Sequence, residues 1–187
     1  LVPTSSASTE QQLHHAIDLL NQQEYTKAID LLHDLEQTIL NPSQLSNLLA
    51  VAYLGKGYQS LASEKLSAAA ESFQEGRQYN DGDVRLWQGE AMVRFKQGSY
   101  SEAVSLLDQA IGIDPQSADL HHLLGKAYYA DGRMSESLDA LTESSALGGG
   151  EKVENLLYKV RREWKVEREM GQESRGHFQL SFVDGRQ

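Results

Sequence analysis

The sequence predicts an all-α fold: an α-solenoid of about four helical hairpins, followed by a capping helix and a short terminal β-strand fragment. Three observations lead to this prediction. A pattern of apolar and small residues recurs every 34 residues. Glycine and proline stand at the places in the pattern where helices should end. The composition of the 187 residues, 40% hydrophobic and 24% charged, is ordinary for a globular protein.

The repeat is clearest in the second half of the chain, where residues 83–115 align with residues 118–149. The matched residues are 34 apart: Gly98 and Gly132, Tyr100 and Met134, Ala103 and Ser137, and Leu107 and Leu141. Near the N-terminus, residues 14–42 follow the same pattern, with Tyr25 and Ala28 in the corresponding places.

Each repeat is interpreted as two antiparallel helices joined by a short turn. In residues 84–117 the first helix should end near Gly98, because glycine readily takes the left-handed conformation that closes a helix. Ser99 or Ser101 can cap the second helix, and Pro115 follows its end. Neither helix buries its apolar face alone, so the hairpins must stack on one another.

This pattern resembles the tetratricopeptide repeat family. The signature positions in one repeat are Trp87, Ala91, Gly98, Tyr100, Ala103, Leu107, Ala110 and Pro115, and in the next they are Leu124, Gly125, Tyr128, Gly132 and Leu141. The second of these repeats departs from the family at Ser137 and Ser144, where small alanines are usual, and at Gly149, where proline is usual. The resemblance covers residues 9–151 and implies stacked hairpins that bind a partner protein.

One repeat, residues 43–83, is seven residues too long. Seven residues make about two helical turns, so an insertion of this length keeps the same face directed inward. We expect both helices of this repeat to be about one turn longer, or one helix to be two turns longer. The alternative is an irregular connection through Gly55 and Gly57.

The predicted domain order has a disordered lead-in, four hairpins, a capping helix that continues as a stalk, and a strand fragment. The ranges are 1–8, then 9–42, 43–83, 84–117 and 118–151, then 152–172, and finally 173–187. Capping is expected because Val153, Leu156, Leu157, Val160 and Trp164 form one apolar stripe, which suits the exposed face of a terminal repeat.

The strand is predicted from the alternation of Phe178, Leu180 and Phe182 with polar residues, followed by the turn pair Asp184-Gly185. An isolated strand is unstable in water. The strand would therefore either open a further domain that this chain lacks or pair with a second copy in a homodimer.

Residues 162–185 are similar to the junction in bacterial proteins at which tetratricopeptide repeats precede a gluzincin-type metallopeptidase domain. The resemblance implies an alternative function, as the substrate-presenting or regulatory N-terminal module of a larger metallopeptidase. The sequence contains no His-Glu-x-x-His motif, so the zinc chemistry of such enzymes has no residues here.

Charge and composition exclude several classes of function. The net charge is −10, and residues 1–150 contain 9 Lys and Arg against 20 Asp and Glu, which is the opposite of a nucleic-acid-binding surface. No apolar run is long enough for direct membrane insertion. No signal peptide is visible, although a removed export signal would leave no trace, and the absence of cysteine suits either the cytoplasm or the periplasm.

Metal and cofactor sites are not expected. The histidine pairs His14-His15 and His121-His122 are adjacent, so their side chains point about 100° apart on a helix, whereas a zinc pair needs a spacing of three or four residues. No phosphate-binding loop is present either.

The resemblance assigns partner binding to a concave groove, which is lined by one face of the first helix in each repeat. The residues carried over are Arg85, Gln88, Met92, Phe95 and Lys96 in one repeat, Asp119, His122, Lys126, Tyr129 and Ala130 in the next, Val51 and Leu54 in the long repeat, and Ile17 and Leu20 in the first. Met92, Phe95 and Tyr129 are apolar or aromatic at positions expected to face solvent, which favours docking of a peptide or helix.

The predicted function is therefore a non-catalytic protein-interaction module. The alternative for this groove is that it holds the chain's own terminal segment or stays solvated. Relatives that bind the acidic chaperone tail have lysine and asparagine at the fifth and ninth places of the helix. This chain has Gln88 with Met92 and His122 with Lys126, so binding of that tail is not expected.

Overall fold

The computed structural model describes residues 5–36 and 42–183, and over these ranges it contains nine α-helices and no strand. The helices are α1 (Ser5–Asn21), α2 (Tyr25–Leu35), α3 (Pro42–Ala62), α4 (Leu66–Tyr79), α5 (Val84–Lys96), α6 (Tyr100–Ile113), α7 (Ala118–Ala130), α8 (Met134–Ala146) and α9 (Gly150–Val183). The predicted all-α fold of helical hairpins is confirmed. None of these helices has both the length and the apolar character that crossing a membrane requires.

The chain divides into two compact units, residues 1–115 and residues 116–187, called unit 1 and unit 2. Unit 1 contains the hairpins α1–α2, α3–α4 and α5–α6. Unit 2 contains the hairpin α7–α8 and the long helix α9.

The turns inside the hairpins share one backbone conformation. Gly98 and Gly132 have φ of 79° and 76°, the left-handed conformation that the sequence predicted for them. Gln23 and Glu64 take the same conformation in the two earlier hairpins, with φ of 61° and 57°, although they carry a Cβ. The same turn therefore recurs where the sequence has no glycine to signal it.

Capping of the helix N-termini differs in part from the prediction. Ser99 is at the N-cap position of α6, but its side chain makes no capping hydrogen bond. In contrast, Asp83 caps α5 by accepting a hydrogen bond of 3.1 Å from the backbone N–H of Arg85. Ser117 caps α7 by accepting one of 3.4 Å from the N–H of Leu120. In the hairpins α5–α6 and α7–α8, a side chain thus caps the N-terminus of the first helix.

The seven extra residues of the long repeat lie in α3, which has 21 residues, whereas α5 and α7 have 13 each. One helix is therefore longer by about two turns, and Gly55 and Gly57 are helical rather than part of an irregular connection. Tyr58, in the added turns, packs edge-on against Phe73 with ring centroids 5.1 Å apart. Its hydroxyl donates a hydrogen bond of 3.5 Å to the carbonyl oxygen of Arg85.

The core of unit 1 is built around the fully buried ring of Phe73. Two glycines face this ring, Gly57 from α3 and Gly89 from α5. A Cβ added to Gly57 would lie 2.6 Å from Cε1 of Phe73, and one added to Gly89 would lie 2.5 Å from the same atom. Both distances are far below van der Waals contact, so the ring fits only because these two positions have no side chain. The buried cluster around it is Ala50, Leu54, Leu61, Ala69, Ala70, Leu86 and Val93.

A buried carboxylate lies beside this core. Glu90 of α5 is 2% exposed and has three hydrogen-bond donors around it. Gln74 donates from Nε2 at 2.6 Å, Arg77 of α4 forms an ion pair with Oε2, and Arg94 donates from Nη2 at 3.3 Å. The guanidinium of Arg77 also stacks over the ring of Trp87 at 3.9 Å. These contacts satisfy a charge that would otherwise be costly to bury.

In unit 2, α9 covers α8 through a cluster formed by Leu141, Val153, Leu157 and Val160. The two departures from the family pattern have a structural reason here. Ser137 donates a hydrogen bond of 2.8 Å to the carbonyl oxygen of Gly125. Ser144 donates another of 2.8 Å to the carbonyl oxygen of Ala118. Both hydroxyls link α8 to α7, so these buried serines replace alanine without leaving a polar group unpaired.

The predicted strand is wrong for residues 177–183, which continue α9, and Gly171 and Gly176 do not end that helix. The physical reason is that a helix satisfies its backbone hydrogen bonds within the segment, whereas a strand needs a partner strand. The turn pair Asp184-Gly185 lies outside the described residues. The resemblance to a metallopeptidase junction and the expected homodimer both relied on this strand, and both lose that support.

The N-terminal lead-in is also shorter than expected. Residues 5–8, predicted to be disordered, belong to α1, while residues 1–4 lie outside the described residues. Residues 5–8 instead extend a helix that continues into the first repeat.

We predict that Gly89→Ala destabilises the protein by about 1–3 kcal/mol, because its methyl group would displace a fully buried ring. Urea denaturation followed by circular dichroism measures the change. The control is Gly112→Ala in α6, where no atom lies within 4 Å of the new Cβ. There the better helix propensity of alanine should raise stability by about 0.5 kcal/mol. If both substitutions shift stability in the same direction, the close contact with Phe73 does not limit this position.

We also predict that Glu90→Gln lowers the free energy of unfolding by about 3 kcal/mol, because it leaves Arg77 and Arg94 without their buried counter-charge. Chemical denaturation of both proteins tests this. The matched control is Glu102→Gln. Glu102 also pairs with Arg94, at 3.3 Å, but it is 63% exposed, so its loss should cost less than about 1 kcal/mol. Equal effects of the two changes would show that burial of Glu90 carries no special cost.

Candidate partner-binding surface

On α5 of unit 1, the predicted partner-binding residues begin with a charged group that is already paired. Arg85 is 56% exposed and forms an ion pair with Asp83, with 2.6 Å between Nη2 and Oδ2. Its hydrogen bonds hold the pKa of Asp83 below the usual range of a carboxyl group. Arg85 thus has its own carboxylate partner at the N-terminus of α5.

The apolar members of the predicted set in unit 1 differ in exposure. Val51 is 42% exposed, and Leu54 is 7% exposed and belongs to the core, so Leu54 is not available to a partner. Met92, at the place in α5 that Val51 has in α3, is half-buried and packs against the core. Phe95 is half-buried, and its ring tilts against Tyr100 with centroids 5.4 Å apart. Unit 1 therefore presents Val51, Met92 and Phe95 as a partly exposed apolar set.

The polar members complete this face of α5. Gln88 is half-buried and Lys96 is exposed. In α1, Ile17 and Leu20 are half-buried, and Leu20 packs against the core of the first hairpins. The members of that core are Ala16, Ile29, Leu32, Leu45, Leu49 and Ala52.

In unit 2, one predicted residue is already in contact with this chain's own α9. The hydroxyl of Tyr129 donates a hydrogen bond of 2.8 Å to Oε2 of Glu163. Nζ of Lys159 lies 5.0 Å from the centroid of the Tyr129 ring, within the range of a cation–π contact. Tyr129 is therefore in contact with α9 of this chain rather than free for a partner protein.

The rest of the predicted set on α7 carries charges of both signs and differs in exposure. Asp119 and Ala130 are exposed, and His122 and Lys126 are half-buried. Burial lowers the pKa of His122, and the positive charges of Lys126 and of Lys152 on α9 lower it further, while Asp119 opposes them. The imidazole of His122 is therefore harder to protonate than that of an ordinary histidine.

Metal-ligand groups are not clustered in this part of the molecule. In residues 5–36 and 42–183, no group of three His, Asp or Glu side chains could hold a metal ion. His14, from one of the two histidine pairs, donates from Nδ1 to the carbonyl oxygen of Glu10 at 2.8 Å.

Sequence reasoning missed an aromatic cluster in unit 1. His33 of α2, Tyr53 of α3 and Tyr79 of α4 lie together, and all three are half-buried. The two tyrosine rings stack with centroids 5.8 Å apart and planes 10° apart. Nε2 of His33 is 3.2 Å from the hydroxyl of Tyr53. Each residue comes from a different helix, so the period of any single helix does not reveal that they meet.

We predict that Lys152→Met raises the pKa of His122, because it removes a positive charge that disfavours the protonated imidazole. An NMR titration of the imidazole signals measures the shift. Lys165→Met, a change of the same type farther along α9, is the control and should leave the His122 titration unchanged. No difference between the two variants would show that Lys152 does not act on α7.

The sign of the accompanying stability effect follows from the same shift. Because the pKa of His122 is lower in the folded chain than in the unfolded chain, His122 destabilises the fold as the pH falls through the unfolded value near 6.5. This contribution should be weaker in Lys152→Met, so its unfolding free energy should decline less over that pH range.

Comparisons with known proteins give three kinds of match. Residues 92–132 match the family model described as TPR repeat. Cellulose synthase operon protein C of Komagataeibacter sucrofermentans is 40% identical over 63 residues, which is 34% of this chain and 5% of the relative. The protein of the same name from Komagataeibacter xylinus is 38% identical over 63 residues. The match thus spans about 5% of the length of these curated relatives.

Several solved structures share the fold. The first TPR of Spaghetti (RPAP3), bound to the HSP90 peptide SRMEEVD, has a TM-score of 0.62 at 17% identity, covering 64% of this chain and 95% of that chain. The TPR2B domain of yeast Sti1, in a complex with Hsp70, has a TM-score of 0.60 at 18% identity and covers 62% and 98%. MamA 41-end from Desulfovibrio magneticus RS-1 has a TM-score of 0.63 at 14% identity and covers 98% and 100%. The chain therefore has the fold of tetratricopeptide repeat proteins, and residues 92–132 match the family in sequence as well.

Proposed function

We propose that this chain is a non-catalytic protein-interaction module, in which the predicted face of α5 in unit 1 and the predicted face of α7 in unit 2 each bind a segment of a partner protein. The observation that carries the proposal is the partly exposed apolar set of unit 1. Val51 on α3 is 42% exposed. Met92, at the equivalent place on α5, and Phe95, three residues later, are half-buried. When a partner covers apolar surface that is in contact with water, the free energy falls, and this favours binding at these residues.

The core beneath this surface favours binding without rearrangement. Met92 packs on the cluster around Phe73, and Phe95 packs on Tyr100, so neither side chain is free to adopt many rotamers. A partner that docks here therefore finds side chains that are already ordered. This lowers the entropy lost on association.

The related structures support a peptide or extended segment as the partner. The RPAP3 repeat binds an HSP90 peptide, and the second TPR domain of human RPAP3 binds the HSP70 peptide SGPTIEEVD. At the fifth and ninth places of the helix, however, this chain has Gln88 with Met92 on α5 and His122 with Lys126 on α7. We therefore expect a different peptide from the acidic chaperone tail.

The two units contribute differently to the proposed function. In unit 1, Gln88, Met92, Phe95 and Lys96 present a mixed apolar and polar face. In unit 2, Tyr129 is engaged by Glu163 and Lys159, so binding on α7 would centre on Asp119, His122 and Lys126.

The partial match to cellulose synthase operon protein C supports a shared repeat segment rather than a shared activity, because it covers 5% of that protein. No observation on the described residues favours the metallopeptidase alternative. Protein interaction therefore stays the proposed role.

The proposal is tested with peptides selected on the full chain from a random 12-residue phage library and then synthesised. Fluorescence anisotropy measures their affinity for the wild type and for variants. Phe95→Ala should weaken binding about tenfold, which corresponds to roughly 1.4 kcal/mol. Lys96→Glu, at an exposed position, should also weaken binding and leaves the packing of the core unchanged.

The control is Ile113→Ala, which removes an apolar side chain that is 42% exposed at the end of α6 and outside the predicted set. It should leave the affinity unchanged. Failure to select any saturable peptide would contradict the proposal. So would selected peptides whose affinity falls equally in Ile113→Ala and Phe95→Ala.

A further inference from the structure

We propose that unit 1 has a second interaction surface, the aromatic cluster of His33, Tyr53 and Tyr79 with its flanking carboxylates. This surface binds a basic side chain, Lys or Arg, from a segment of a partner protein. It involves none of the residues assigned to the proposed binding faces of α5 and of α7.

The rings form an ordered platform. Tyr53 and Tyr79 stack 5.8 Å apart, and the ring of His33 lies 6.3 Å from Tyr53 and 6.1 Å from Tyr79. The imidazole is fixed at both ends: Nδ1 is 3.2 Å from Oε1 of Glu36, and Nε2 is 3.2 Å from the Tyr53 hydroxyl. Glu36 accepts from Nδ1–H, and in the neutral imidazole this leaves Nε2 to accept from the hydroxyl. The three rings therefore hold one arrangement before any partner arrives.

Carboxylates surround this platform at one-turn spacings. Asp30 precedes His33 by three residues and Glu36 follows it by three on the α2 side, and Glu75 precedes Tyr79 by four on α4. Residues three or four apart on a helix lie on the same face, so the helices direct these acids toward the rings. His33 and Glu36 have side chains that are 36% and 44% exposed, so a partner can reach them.

The electrostatics of the tyrosines agree with this placement. Burial raises the pKa of Tyr53, and the neighbouring Tyr79 and the carboxylates Glu75, Glu36 and Asp30 raise it further. Burial also raises the pKa of Tyr79, again together with Glu36 and Glu75. Burial disfavours a charge of either sign, but the part of the shift that comes from Glu36, Glu75 and Asp30 favours a cation near the rings.

The chain itself already places a cation against these rings. Nζ of Lys56, three residues after Tyr53 on α3, lies 5.9 Å from the centroid of the Tyr53 ring. This is near the outer limit of a cation–π contact, so a second cation could approach the stacked rings more closely. One lysine also leaves the three carboxylates in excess.

Charge complementarity identifies the occupant as basic. Residues 1–115 contain 7 Lys and Arg against 15 Asp and Glu, so the whole of unit 1 attracts positive charge. An arginine suits the site best, because its flat guanidinium can stack on a tyrosine face while its N–H groups donate to Glu36 or Glu75.

The test uses the full chain and three labelled 12-residue peptides: alternating Arg and Ser, alternating Lys and Ser, and alternating Glu and Ser. Fluorescence anisotropy at 150 mM salt measures binding. The Arg peptide should bind saturably, the Lys peptide more weakly, and the Glu peptide not at all. The double variant Glu36→Gln/Glu75→Gln should weaken binding of the Arg peptide at least about tenfold. Phe95→Ala should leave that binding unchanged, because the proposed binding face of α5 is a different surface of unit 1.

The matched control is Glu10→Gln/Glu71→Gln, which removes the same charge from exposed positions elsewhere in unit 1. It should change the affinity less than about twofold, since it leaves the rings and their acids in place. Tyr53→Phe keeps the ring and should retain binding, whereas Tyr53→Leu should lose it. Circular dichroism verifies the fold of each variant.

Three outcomes would overturn the proposal. The first is no saturable binding of either basic peptide. The second is an equal loss of affinity in the two double variants, which would indicate general attraction to an acidic protein. The third is unchanged binding by Tyr53→Leu. If Tyr53→Leu does not fold, the comparison of the two double variants decides alone, because none of the four glutamates is fully buried.

Discussion

Unit 1 depends on how closely α3 and α5 can approach the ring of Phe73. Gly57 and Gly89 face this ring from two different helices, and neither has room for a methyl group. The ring of Phe73 fills the space that side chains at Gly57 and Gly89 would occupy, so these three residues pack as one unit. Tyr58, in the added turns of α3, packs edge-on against the same ring, and the buried Glu90 directly follows Gly89 on α5.

Three buried polar side chains, Glu90, Ser137 and Ser144, are tolerated because each has defined partners. Glu90 is held by Gln74, Arg77 and Arg94, and the hydroxyls of Ser137 and Ser144 donate to backbone carbonyls of the neighbouring helix. Such contacts depend on direction in a way that apolar contacts do not. They therefore fix how neighbouring helices align along their length: the serine contacts act within a hairpin, and the Glu90 contacts act between two hairpins.

The fold was predictable from the sequence because its signals are local and periodic. Gly98 and Gly132 end helices, and the spacing of apolar residues identifies the inward face of each helix. Contacts between helices carry no such signal. The meeting of His33, Tyr53 and Tyr79 and the engagement of Tyr129 by α9 depend on the packing of separate elements. The strand expected near Phe178 shows the converse limit, since alternation over six residues does not supply the partner that a strand requires.

The length of α3 has a consequence for how this chain tolerates insertions and deletions. Each residue turns a helix by about 100°, so a change of seven residues returns the following positions to within about 20° of their original direction. A gain or loss of two or five residues before Gly57 would instead rotate that glycine away from Phe73 and direct a side chain at the ring. Natural variants of this helix that still fold should thus differ in length by about three, four or seven residues. Changes of two or five residues should not occur among them.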